Sequence, residues 1–285
     1  SGVPNTYVDL ATLKGAGGLD ISGTADDTRL RLLAEAVSRA VDRWCNRHFY
    51  AYQATLTFDG DGGTLLPVTD LISVDASGLK TDDNLDGTYE TTWATADWLF
   101  MPRNAAPTVA GNEAGRPYHA LQVNPLSNGT QEEFPLGPQT VQLAGQWGWW
   151  RHLETAAETG SGSLGSTATA FNVGTHVDVH VGHTIRVDSE QMYVKGTGTG
   201  SNLTVQRAVN GSTAGTHAAG SVVEIYRYPP AIQEAALIET GRLWKLKDAG
   251  YASQVGIPDV GVVNITRGFD NPTKILLAPF RRLKV

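Results

Sequence analysis

Three histidines and a carboxylate crowd into eight residues at His176, Asp178, His180 and His183. On an extended strand, alternate residues share a face. His176, Asp178 and His180 would then converge as a two-histidine, one-carboxylate set of the kind zinc accepts. The intervening Val177, Val179 and Val181 account for the same segment without a metal, as a half-buried strand with a polar outer face, and that is the reading adopted. Asp59-Gly60-Asp61-Gly62-Gly63 resembles a fragment of a calcium loop. It lacks the ordered oxygen ligands and the closing bidentate Glu of such a loop, and it reads as a tight turn. Cys45 and His48 stand three apart, a spacing that permits contact on a helix. Neither a third, orienting group nor an oxyanion feature accompanies them, so Cys45 is expected to pack beside Trp44. No phosphate-binding lysine loop and no dinucleotide-binding glycine pattern occurs. The expectation is therefore a non-enzyme with no catalytic residue, no metal and no cofactor.

Trp147, Trp149 and Trp150, followed by Arg151 and His152, are the most conspicuous aromatic group. Neighbours on a strand face opposite ways. Trp147 suits a core, and one of the others suits an interface, where Trp is enriched. A sugar-stacking platform is the competing use.

The elements that must position these residues are legible in part. Leu30, Leu33, Ala34, Val37, Ala40, Val41 and Trp44 recur at spacings of three and four, the signature of an amphipathic helix. Thr24 and Asp27 stand at capping-box spacing before it, with Asp in place of Glu or Gln. Arg29, Arg31, Glu35, Arg39, Asp42 and Arg43 fall off the apolar face and read as a solvated or ring-interface surface. From Phe49 to about Trp150 short strands are expected, including Tyr50–Phe58, Tyr89–Phe100, Tyr118–Val123 and Val141–Trp147. Glu154–Thr169 is rich in Gly, Ser, Thr and Ala and reads as a linker. A compact, peripheral β-domain follows to about Tyr226. Pro229-Pro230 opens a second helix with Ile232, Ala235, Ala236, Ile238, Leu243 and Leu246 on one side, and Gly250 is a plausible stop. The fold expected is α+β: a helical body with two long helices, a strand-rich section and an inserted small all-β domain. Residues 1–153 and 228–285 form the body, and 154–227 the linker and insertion.

The chain has 285 residues with 41% hydrophobic and 18% charged, the composition of a folded protein. Its net charge of −7 and the lack of a basic helix or tail argue against tight binding to a phosphate backbone. One cysteine excludes an internal disulfide framework. The N-terminal stretch has no basic region followed by an apolar one, so no signal peptide is expected. No apolar run approaches the roughly 20 residues that span a bilayer, and no membrane partner is expected.

Three stretches, in order, resemble the head–tail connector (adaptor) family of long-tailed double-stranded DNA bacteriophages. They are Asp26–Tyr50 with its Ser38-Arg-Ala-Val-Asp-Arg-Trp-Cys-Asn-Arg-His-Phe-Tyr50 run, then Val141–Trp150 leading into Tyr228-Pro-Pro-Ala-Ile-Gln-Glu-Ala-Ala236, and finally Ile275-Leu-Leu-Ala-Pro-Phe-Arg-Arg282. The intervening Glu154–Arg227 departs from the compact type of that family. Asp188–Val194 and Arg207–Thr213 within it resemble a small β-module of phage virion proteins.

The resemblance implies a structural virion protein of the neck between capsid and tail, assembled in the host cytoplasm. It would form a homo-oligomeric ring, usually a dodecamer, under the portal protein. The ring extends a channel through which DNA passes without sequence-specific binding, and it docks a head-closure (stopper) or tail component.

In the tail, Pro272 and Pro279 disfavour a long helix across 271–285. Ile275, Leu276, Leu277 and Phe280 form an apolar cluster beside Arg281 and Arg282. These six residues are the expected partner-binding site, with Leu277 and Phe280 as anchors on an adjacent subunit or the portal. The alternative is a tail folded back on its own domain. The alternative function is a carbohydrate-binding or host-adhesion β-module, which leaves the two helices and the Leu-Leu-Ala-Pro-Phe-Arg-Arg ending unexplained.

Overall fold

The computed structural model describes residues 4–107, 115–127, 129, 131–149, 152–198, 200–247, 254–257, 261–264 and 268–282. The chain divides into two compact units. One is His48–Leu153 with Asn210–Ser212. The other is Ser1–Arg47 with Glu154–Val209 and Thr213–Val285.

The His48–Leu153 unit is built on a six-stranded sheet. Its strands are β1 (Tyr52–Gly60), β2 (Leu65–Thr81), β3 (Thr91–Thr92), β4 (Trp98–Met101), β5 (Tyr118–Val123) and β6 (Gly137–Trp147). They run β1-β6-β2-β5-β4, with β3 paired to β2, and every pairing is antiparallel. Alternation selects the core face. Tyr52, Ala54, Leu56 and Phe58 of β1 lie opposite Trp147, Gly145, Leu143 and Val141 of β6, and they pack on a core of Leu66, Leu71, Leu121 and Trp147. Trp93 stacks on Phe134 at 4.8 Å. The long β2 changes register against β6 between Val74 and Leu79. Gly78 sits at that irregularity, where a Cβ would lie 2.4 Å from the Ala144 carbonyl oxygen, so only glycine fits.

The second unit carries the helices α1 (Leu10–Lys14), α2 (Asp27–Cys45), α3 (Pro230–Leu246) and α4 (Asn271–Leu277). Its six-stranded sheet contains β7 (His152–Thr159), β8 (Ala170–Asn172), β9 (Thr184–Val187), β10 (Glu190–Thr197), β11 (Asn202–Gln206) and β12 (Val222–Arg227), in the order β7-β12-β9-β10-β11-β8. A two-stranded hairpin joins β13 (Gln254–Ile257) to β14 (Gly261–Asn264). Ile185, Val187, Met192, Val194, Leu203, Val205, Val223 and Ile225 alternate inward and form the sheet's core with Phe171.

Both helices read from the 3.6-residue period are present, with altered ends. Leu30, Ala34, Val37, Val41 and Cys45 are buried along α2. Its start has no side-chain cap. Asp27, expected in a capping box, pairs instead with Lys14 at 2.5 Å. Asn46, in the left-handed region at φ 54°, ends it. The buried side of α3 is Ile232, Ala235, Ala236, Glu239, Thr240 and Trp244, not Leu243 and Leu246. Gly250 lies outside the described residues.

The expected helical body with two long helices is corrected. Among the described residues the protein is mostly β, two antiparallel six-stranded sheets with only about 23% helix in four helices. Of the twelve largest wholly buried side chains, seven sit on strands and only Leu13 and Leu30 on helices. The helical period is the stronger sequence signal, but the sheets enclose most of the core.

The expected linker is also corrected, because its first half is β7, at a sheet edge. Ala156 and Glu158 point inward from it, a period of two hidden in a Thr/Ala/Gly-rich composition. Nor is the second sheet a projection from the helices. The Leu10 N–H donates to the Val181 carbonyl at 2.8 Å. Thr6 Oγ1 donates to the Gly182 carbonyl at 2.6 Å, Thr184 Oγ1 to Asn5 Oδ1 at 2.6 Å and Tyr193 OH to Glu35 at 2.9 Å. These buried bonds stitch the N-terminal segment and α2 to the sheet.

Candidate functional site

Neither the half-buried strand expected over 176–181 nor the candidate metal set it would have aligned forms. Residues 173–183 are bends and turns, not a strand, so alternate residues do not share a face. Glu158, buried at 3% exposure, accepts the backbone N–H groups of Val177, Asp178 and Val179. That removes the amides a strand would need for a ladder. Asp178 Oδ2 is taken by the Ala157 N–H at 2.7 Å. His183 Nδ1 accepts the His180 N–H at 3.1 Å, while its Nε2 lies 3.6 Å from Asp9 and 3.2 Å from Arg227. Burial pushes the His183 pKa down and outweighs the opposing pull of Asp9, with Arg227 and His180 adding to the lowering. Burial alone would raise the Asp9 carboxyl. Hydrogen bonds from His183 and Thr12 overcome it and hold Asp9 well below the usual carboxylate range.

Cys45 is fully buried, and desolvation pushes its thiol up to about 12, which leaves no thiolate for nucleophilic chemistry. Trp147 is buried against Phe58, with ring centroids 5.7 Å apart. The Trp149 indole N–H donates to the Gly115 carbonyl at 3.1 Å, and Trp150 and Arg151 lie outside the described residues. The 59–63 segment is the turn expected, with Gly62 at φ +74° and Asp61 Oδ1 accepting the Gly63 N–H.

Three of the four arginines of α2 are committed inside their own unit. Arg31 pairs with Glu35. Arg39 reaches Asp42 at 3.2 Å and the Tyr7 hydroxyl at 3.1 Å. Arg29 lies 5.6 Å from the Trp244 ring centroid. Of the four read as an open face, these three are engaged within the unit, and Arg43 is exposed as expected.

The C-terminal segment is positioned by α3. Glu239, 1% exposed on that helix, accepts the Asp270 N–H at 3.1 Å and pairs with Arg242 at 2.7 Å. Arg242 in turn donates to the Gly268 carbonyl at 2.7 Å. Asp270 then caps α4 by accepting the Thr273 N–H at 2.9 Å. Pro272 falls in the first turn, where its missing N–H costs nothing. The proline expected to limit helix thus helps to start a seven-residue one.

Leu277 is wholly buried, with its carbonyl 4.0 Å from Cys45 Sγ, and the Arg282 N–H donates to the Cys45 carbonyl at 2.8 Å. The tail therefore folds back on α2, and Leu277 is not free to anchor a partner. Leu276, Phe280 and Arg282 are half-buried, while Arg281 is exposed and lies 5.2 Å from the Trp44 ring centroid. Ile275, at 72% exposure, is the apolar residue this helix leaves in solvent. It borders a shallow groove of about 590 Å³ lined by Trp44, Asn271, Lys274, Ile275, Ala278 and Arg281.

No protein-family model, curated protein or solved structure matches this chain.

A second concentration of functional groups was not anticipated. At one end of the first sheet, Asp82, Asp86 and Glu90 bring a carboxylate oxygen each within 4.8 Å of one another, the sole such trio among the described residues. Asp82 is buried, and its two oxygens accept the N–H groups of Leu85, Asp86 and Gly87. These bonds fold the loop and account for the buried carboxylate without an ion. The sequence signal was available: acids at 82, 83, 86 and 90 in a run from 81 to 102 that contains no Lys or Arg.

Proposed function

We propose that the protein is a structural subunit of a phage head–tail connector ring, lying under the portal and docking the next neck or tail component. One observation carries this reading. The three resembling stretches keep their family order, and the helices they supply form one packed group: α3 lies against α2, and α4 against α3. α4, with Lys274, Ile275 and Arg281 directed outward at its groove, is the docking element in this reading. The tail's backbone is fixed on its own subunit, and the exposed side chains of α4 meet the partner. No catalytic role is assigned to any residue. The one thiol, Cys45, is buried and its pKa is raised, which disfavours a nucleophilic role for it.

Mixing the purified chain with its portal protein tests the reading. The expected result, by native mass measurement and electron microscopy, is a portal-bound ring of many copies, with the chain alone free to remain monomeric. A portal that binds none of it across micromolar concentrations rejects the adaptor reading.

A further inference from the structure

The net charge of the protein is confined to one of its units. Residues 48–153 hold 12 acidic and four basic residues, and the remainder holds 17 acidic and 18 basic. Within the first unit eight of the twelve acids lie in three segments at one end of the sheet, 59–61, 82–90 and 132–133, and hydrogen bonds tie the three loops together there. Gly60 pairs with Gly137, the Phe134 N–H donates to the Gly63 carbonyl at 2.8 Å, and the Asp82 N–H donates to the Thr140 carbonyl at 2.9 Å. Asp59 Oδ1 accepts the Gln139 N–H at 2.7 Å, and the Tyr89 hydroxyl donates to the Gln139 carbonyl at 2.9 Å.

This end exposes Asp59, Asp61, Asp83, Asp86, Glu132 and Glu133. Asp59, Asp61, Asp83 and Asp86 accept from backbone N–H groups and a threonine hydroxyl, and none of the six makes an ion pair among the described residues. Amid them two leucines stand in solvent, Leu85 at 60% and Leu136 at 71% exposure. They are near one another, since a Cβ on Gly137 would lie 2.8 Å from Leu85 Cδ2. An apolar tip inside a ring of like charges is poorly matched to water and self-repelling.

The groove at α4 has the opposite character. Lys274 and Arg281 flank the exposed Ile275 over Trp44. Residues 267–285 contain five basic residues and one acid, Asp270, whose carboxylate is engaged as the α4 cap.

We propose that the acidic, leucine-tipped end of one copy docks into the basic α4 groove of a second copy, with Leu85 against Ile275 and Trp44, and Asp83 and Asp86 facing Lys274 and Arg281. The occupant is a second copy because this chain itself supplies both complementary surfaces. The two patches differ, so the contact is heterologous. Such contacts run head to tail and close into a ring when the rotation permits. The inference rests on the ring reading above and names the contact that holds the ring together.

Cysteine trapping tests it, because Cys45 is buried and does not interfere. A full-length Leu85→Cys chain is mixed with a full-length Ile275→Cys chain under mild oxidation. The expected product is a crossed disulfide dimer containing one of each. Raising salt from about 0.05 M to about 0.5 M should lower its yield roughly tenfold, as screening removes the charge attraction. Asp83→Lys with Asp86→Lys on the first chain should abolish it. Lys274→Glu with Arg281→Glu on the second should restore it, which also shows that the altered chains still fold.

Dimers of a single variant in place of crossed ones would mean a self-complementary contact and would overturn the proposal. So would a crossed yield that ignores charge reversal, or one lost to a chelator at fixed ionic strength, which would indicate a bridging cation. Rings on a portal without the crossed disulfide would remove this contact and leave the adaptor reading. A crossed disulfide in a chain that no portal binds would do the reverse.

Discussion

The two units use ionisable groups in opposite ways. In the helix-bearing unit, charges are turned inward and paired. Glu190, 1% exposed, receives Arg207 at 2.6 Å and His217 at 2.9 Å, and Glu239 holds Arg242. In the other unit, apart from the buried Asp82 and Asp97, exposed carboxylates meet backbone N–H groups at turns, as Asp59, Asp61 and Asp86 do. The first arrangement fixes a particular fold and ties it to pH. The second leaves negative charge on the surface, where it acts on other molecules. One unit's electrostatics are therefore structural, and the other's are available for recognition.

The sharpest way to break this contrast is Arg207→Met. It leaves Glu190 buried beside His217 without its guanidinium, and removing one member of a buried pair costs about 3–5 kcal/mol. Denaturant unfolding followed by hydrogen exchange should show protection lost across 184–227 and retained across 52–81. Equal loss in both units would contradict the separation.

A pH titration sharpens it next. His183 has a depressed pKa in the folded state, so its contribution is present above the unfolded value of about 6.5 and is lost as pH falls through the lower folded value. Burial opposes ionisation of Glu190, but Arg207, the Gly215 N–H and His217 outweigh it and bring its pKa to about 2. Its contribution is present above the unfolded value of about 4.3 and drains away between there and about pH 2. Thermal melts of the helix-bearing unit should therefore decline in two stages on acidification. His183→Gln should flatten the first stage and leave the second. A profile unchanged by that substitution would place the first stage elsewhere.

The smallest effect is local. Asp270→Ala removes the α4 cap at a cost of about 1 kcal/mol. The melting temperature should fall by only a few degrees, with faster exchange confined to 271–277. Global loss of exchange protection would show that α4 holds up more than its own end of the chain.

Much of this was readable in advance, for identifiable reasons. The burial of Leu30, Ala34, Val37 and Val41 follows from period, as does the inward set Ile185, Val187, Met192 and Val194. Local pattern fails where the competing partner is distant in sequence. Val177, Val179 and Val181 alternate as a strand would, yet Glu158, some twenty residues earlier, takes the amides of Val177 and Val179. Arg31 and Arg39 look solvated on a helical wheel, but Glu35, Tyr7 and Asp42 claim them. For the candidate docking residues, the apolar cluster of the tail was visible. Which of its members faces out was not, because that depends on Cys45 lying beneath Leu277. The acidic end of the first sheet was legible only as a charge run. Its exposed leucines belong to loops that the fold alone brings together.

The stitching of the N-terminal segment to the second sheet sets an order of events during synthesis. The core of the first unit, from Leu66 to Trp147, is complete once about half the chain has emerged. Thr6 meets its partner Gly182 only after 176 further residues, and Tyr7 meets Tyr228, at 4.8 Å between ring centroids, later still. At roughly 5–20 residues per second, α2 waits several seconds on the ribosome before its partners on β10 and α3 exist. Throughout that interval its apolar face, Leu30 to Val41, is a natural client surface for chaperones.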